Sequence, residues 1–140
     1  MRAMYFVVVV VVVAVLVGFS GCGAKSSVAE EKSAIVTLLR SSYGGSSAGM
    51  VIDPVVVRTK YGVADWVQGD MGGRALVQKE SGEWKVLTTA GGEMRNAEFL
   101  VKAGMPELEA KALANSLIAA ERQIPEERLA KFDSYVAQAR

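Results

Sequence analysis

Methionine, tryptophan and the carboxylates are the residues left to do chemistry in this chain, because it has no histidine and its one cysteine, Cys22, closes an apolar leader. Without imidazole or a free thiol, no Ser-His-Asp or Cys-His nucleophile can be assembled, and the usual zinc and haem sites lose their ligands. A carboxylate pair could still act, as in glycoside hydrolysis. Asp65 and Asp70 flank Trp66 in the stretch richest in glycine. Asp70, however, precedes Met71-Gly72-Gly73, where an aspartate ordinarily stabilises a turn. Asp65 falls within a strand pattern, where aspartate is depleted, so it either faces water or makes a specific hydrogen bond. Trp66 stands beside Asp65 and Gln68 and suits ligand contact, whereas Trp84 reads as core. Asp65, Trp66 and Asp70 are therefore candidate ligand-binding residues, and no catalytic residue is assigned.

Thioethers are soft donors suited to Cu(I). Met71 and Met94 each follow an acidic residue beside a glycine pair, in Asp70-Met71-Gly72-Gly73 and Gly91-Gly92-Glu93-Met94. These two are the candidate metal residues, with Met50 and Met105 as further thioethers. The competing reading is that scattered methionines fill gaps in a core. No resident cofactor is expected, and Cu(I) is the one metal such donors suit. The glycine pairs lack the lysine and hydroxyl of a P-loop and the GxGxxG pattern, so they are not phosphate loops.

Arg2, an apolar and mostly valine run over residues 3–17, and the small-residue exit Ser20-Gly21-Cys22 form a leader. The run falls short of the ~20 apolar residues of a bilayer-crossing helix. The exit resembles the lipobox of bacterial lipoprotein precursors, with Phe19 where an aliphatic residue is usual. That resemblance implies a signal peptide over residues 1–21, a diacylated Cys22, a tether over residues 22–27, and one domain over residues 28–140. The protein is then expected in the bacterial envelope, held to a membrane by lipid and facing the periplasm. Cleavage removes Arg2 and leaves fifteen basic and fifteen acidic side chains. No basic face for neutralising phosphates is available, which argues against nucleic acid as a partner. With no second cysteine, the domain has no internal disulfide to rely on.

The elements that must position these residues follow from periodicity. Ser27-x-x-Glu30 is a capping box, and Val28, Ile35 and Leu39 recur at helical spacing until Tyr43-Gly44-Gly45. Alternation of β-branched and aromatic residues predicts four strands, over 51–59, 61–68, 74–79 and 83–89. Pro54 pushes the first strand to an edge. Gly72-Gly73 is read as the turn into the third strand, and Glu80-Ser81-Gly82 as the tight loop into the fourth. In the second strand Tyr61, Val63, Asp65 and Val67 share one face, opposite Ala64, Trp66 and Gln68. Helical spacing then returns. A short helix over 96–103 ends at Gly104. A second opens with Pro106 at its first position and buries Ala110, Leu113, Ala114, Leu117 and Ile118. A third follows Pro125 and buries Leu129, Phe132 and Val136. This order predicts an α+β domain: an N-terminal helix, a four-stranded antiparallel sheet, and three C-terminal helices packing on one sheet face.

The segment Ala64-Asp65-Trp66-Val67-Gln68-Gly69-Asp70-Met71-Gly72-Gly73-Arg74-Ala75-Leu76 resembles the copper uptake system-associated proteins. The likeness continues through Trp84, Leu87, Ala103-Gly104-Met105-Pro106, the alanine-rich stretch 109–121 and Phe132-Asp133. It implies a secreted protein linked to copper handling, with a copper transport component as one partner. It supplies no ligand set. Where such proteins carry a cysteine, this chain has Thr88-Thr89. The expected function is a non-enzymatic accessory or binding module associated with copper uptake or handling. The alternative is a periplasm-facing interaction or inhibitor module that docks an envelope protein without metal.

Overall fold

The structure, a computed structural model, describes residues 25–43 and 49–136. Cys22 and the leader lie outside the described residues. Helix α1 (Val28–Ser42) begins at the capping box anticipated from Ser27 and Glu30. The Ser27 hydroxyl accepts from the Glu30 amide at 3.2 Å, and the Glu30 carboxylate accepts from the Ser27 amide at 2.7 Å. Two otherwise orphaned donors of the first turn are thereby satisfied.

Four antiparallel strands follow as a meander in the order β1-β2-β3-β4: β1 (Val51–Arg58), β2 (Tyr61–Gln68), β3 (Met71–Glu80) and β4 (Glu83–Ala90). Pro54 lies on edge strand β1, where the register slips between Ile52 and Val55, a place that tolerates a missing ladder donor. Ser81 and Gly82 both have positive φ, which gives the β3–β4 turn the twist a two-residue hairpin needs. Strand β3 starts three residues earlier than expected. The turn before it is Gly69-Asp70, with Gly69 at φ +61°, and Gly72-Gly73 is strand.

Both sheet faces are covered, because β2 and β3 carry apolar residues on both sides. Toward one face Tyr61, Val63 and Leu76 pack with residues of α2 (Ala97–Lys102) and α3 (Glu107–Glu121), among them Leu100, Leu113 and Leu117. Helix α4 (Glu126–Asp133) lies on the same face, with Phe132 set against Arg74. The three C-terminal helices thus share one face. Toward the other, Ala64, Trp66, Ala75, Val77 and Trp84 meet Ile35 and Leu39 of α1, a face that the sequence reading left without a helix.

Three details differ from expectation. Pro106 is the cap before α3 and not its first residue. Ile118 is partly exposed, and the buried stripe of α3 continues instead through Glu121. Helix α4 stops at Asp133, so Val136 lies beyond it, exposed. A short 3-10 turn, Gly92–Arg95, seats Met94 in the core beneath α3.

Candidate functional site

The Asp65-Trp66 dipeptide divides between two sites, because neighbouring residues of a strand point to opposite faces. Asp65 faces the C-terminal helices and is fully buried. It lies directly across the ladder from Arg74, which is also fully buried. The Arg74 guanidinium donates through Nε to Glu121 Oε1 at 2.7 Å and through a terminal nitrogen to Asp133 Oδ1 at 2.7 Å, while Asp65 Oδ1 lies 3.8 Å from Nε. Arg95 pairs with the same two acids, at 3.0 Å from Asp133 and 3.6 Å from Glu121. Two guanidiniums face three carboxyl groups. Burial and the neighbouring Glu121 carboxylate push Asp65 up to about 9, so it stays protonated and the cluster balances. Among the described residues neither Asp65 oxygen has a hydrogen-bond partner, so the hydrogen bonds of the cluster are those of the two guanidiniums to Glu121 and Asp133.

Trp66 faces the other way and forms the floor of a groove of about 530 Å³ at the open end of the sheet. Its lining includes Tyr43, Asp70, Met71 and Tyr135. The Tyr43 ring centroid stands 5.4 Å from that of Trp66 with planes inclined by 40°, and the Tyr135 ring stands 6.1 Å away, edge-on at 77°. Trp66 is almost wholly buried, and its indole Nε1–H has no acceptor among the described residues. The Tyr43 hydroxyl lies 3.3 Å from Thr89 Oγ1, and burial raises its pKa, so it remains a neutral phenol. Asp70 and Met71 are exposed at the rim.

The C-terminal segment builds one wall. After α4 the chain passes over the sheet end, and two glycines make room for it. A Cβ on Gly91 would come within 2.6 Å of the Asp133 carbonyl oxygen, and one on Gly73 within 2.9 Å of the Tyr135 ring. Such distances are prohibitive, which explains a glycine inside β3 where a turn was expected.

The structure brings Trp66, Asp70 and Met71 together and leaves Asp65 behind the sheet. Met94 does not join Met71: it is fully buried with Leu100 and Met105, and Met50 belongs to the core under α1. Met71 and Met94 are therefore not brought together, and the two thioethers that share a cluster, Met94 and Met105, are buried among apolar side chains. Among the described residues no group of three or more acidic side chains could hold a metal ion.

The sequence reading missed Arg74, Glu121, Tyr43 and Tyr135. Two of these carried a signal. A two-residue turn at Gly69-Asp70 sets Asp65 opposite Arg74, and Glu121 falls one helical turn after Leu117 on the apolar stripe of α3. Tyr43 and Tyr135 meet Trp66 from far along the chain, where periodicity is silent. Comparison with family models, with curated proteins and with solved structures gave no match. Among the described residues no helix is long and apolar enough to cross a membrane.

Proposed function

We propose that this protein is a non-enzymatic binding module of the cell envelope, tethered through lipid on Cys22, whose ligand seat is the groove floored by Trp66. The observation that carries the reading is the groove itself, where Tyr43, Trp66 and Tyr135 come together from distant parts of the chain beside the exposed Asp70 and Met71. The volume lies within the usual range for small-molecule sites, roughly 300–1,000 Å³. Among the described residues the lining offers one carboxylate and two phenols, too little for a paired acid and base, so binding is favoured over turnover. The link with copper that the resemblance implies would run through a partner and not through Met71 paired with Met94.

Indole-proton NMR tests this directly. Trp84 is an internal reference, because its Nε1 already donates to Glu31 at 2.6 Å. Small oxygen-bearing fragments should shift the Trp66 indole signal saturably and leave Trp84 in place. Shifts confined to other surfaces, or turnover of ester, peptide or glycoside substrates, would overturn the assignment. Copper is decided by competition against a Cu(I) chelator, in which wild type and Met71→Leu should compete equally poorly.

A further inference from the structure

The groove has a definite electrostatic character. Three aromatic rings line it, with Trp66 inclined to each tyrosine, and among the described residues Asp70 is the one acidic side chain of the lining and no lysine or arginine belongs to it. The nearby Lys131 donates to the Gly69 carbonyl at 3.3 Å and belongs to the adjoining depression with Val51 and Val67. Ring faces carry negative potential, tryptophan most strongly, and a carboxylate at the rim adds to it. The thioether of Met71 contributes a polarizable contact without charge. An anion would be opposed by Asp70, and a purely apolar ligand would leave that carboxylate unused.

We propose that the groove formed by Tyr43, Trp66, Tyr135 and Asp70 binds an alkylated ammonium group. The assignment rests on the binding-module reading and names the ligand class for that seat. The methylated cation lies against the rings, where its diffuse charge loses little hydration, and Asp70 balances it from the rim. The same chemistry occurs in free amino-alcohol solutes and in the headgroups of choline lipids.

The test pairs choline with 3,3-dimethyl-1-butanol, its uncharged isostere, in titrations of the full-length protein followed at the Trp66 indole proton. Choline should saturate the shift at about tenfold lower concentration than the isostere, the margin expected of a partly desolvated cation over aromatic rings. Asp70→Asn, which keeps the turn, should weaken choline several-fold and leave the isostere unchanged. Glycerophosphocholine matching choline would assign a headgroup source, and poorer binding a free solute; both retain the ammonium. Equal binding of choline and isostere would overturn the cation and leave the groove standing. Failure of both, with other fragments still binding, would overturn the ammonium class alone. Failure of every probe would overturn the binding-module reading as well.

Discussion

Asp133 and Tyr135 stand two residues apart and serve opposite faces of the sheet. Asp133 accepts from Arg74 beneath the C-terminal helices, whereas the Tyr135 ring packs edge-on against Trp66 in the groove. Two residues of extended chain span roughly 7 Å, so the placement of one constrains the other. The buried ion cluster is thereby a fixing point for a wall of the binding seat, although it contributes no atom to the groove.

Asp133→Asn tests that coupling. The substitution keeps size and removes the charge facing Arg74 and Arg95. It should lower stability by about 1–3 kcal/mol, the usual cost of losing a charge-assisted hydrogen bond. It should also broaden or shift the Trp66 indole resonance, with Trp84 unmoved. A lower urea midpoint with an unchanged Trp66 signal would show that the two faces are independent.

Gly73→Val places a side chain where the Tyr135 ring now lies, with the first added carbon 2.9 Å from Cδ2. Overpacking of this kind costs about 1–3 kcal/mol. Because the nearest atoms are Cδ2, Cγ and Cβ of Tyr135, Tyr135→Ala, which removes the ring and keeps Cβ, should relieve part of it. A double-mutant cycle read by urea midpoints should therefore give coupling between the two positions, and additive effects would place the clash elsewhere.

What was legible in the sequence was local. The capping box of α1, the β3–β4 turn, the strand faces around Asp65 and Trp66 and the apolar stripe of α3 depend on near neighbours, and each is present. Gly72-Gly73 misled for a physical reason. A glycine pair reads equally as a turn or as a surface for close approach, and the approaching chain comes from some sixty residues away. The methionines were ambiguous in the same manner, since their sequence context does not say which are buried. Asp65 was expected to face water or make a specific hydrogen bond and does neither: it is buried beside Arg74 with no hydrogen bond among the described residues, in a cluster whose other acids sit far along the chain on α3 and α4.

Asp65 governs the neutral range of the stability profile. Its folded pKa of about 9 lies far above the ordinary 3.8, so the folded state binds the proton more tightly than the unfolded chain. The stabilisation from that protonated group is complete below about pH 4 and is lost as pH rises toward 9. With no histidine in the chain, no other side chain titrates at its ordinary pKa between pH 5 and 8. The urea midpoint of the wild type should fall across that window, while that of Asp65→Asn should stay flat. Arg74→Met, which strands buried acids, should instead cost about 3–5 kcal/mol throughout. Parallel slopes for wild type and Asp65→Asn would mean that Asp65 is ionised in the fold.

Glu31 governs the acid side with the opposite sign. Its carboxylate accepts from Lys79 Nζ at 2.5 Å and from Trp84 Nε1 at 2.6 Å, with the Ser26 hydroxyl as a third donor, and so ties α1 to β3 and β4. The Lys79 hydrogen bond, followed by that from Ser26, lowers its pKa from 4.5 to about 2. A depressed carboxylate stabilises the fold above its unfolded pKa, and this contribution is lost as pH falls from about 4.5 to 2. Exposed acids such as Glu80 and Glu107 are shifted the same way, but solvent screens them and they add little. Stability should therefore rise from pH 2, peak near pH 4, where the opposing effects of Glu31 and Asp65 cancel, and decline toward 9 while the fold holds Asp65 protonated. Glu31→Gln should flatten the acid limb and leave the alkaline limb intact, and the Trp84 indole resonance of the wild type should move with the acid limb alone. An acid limb unchanged in Glu31→Gln would assign it to the other carboxylates.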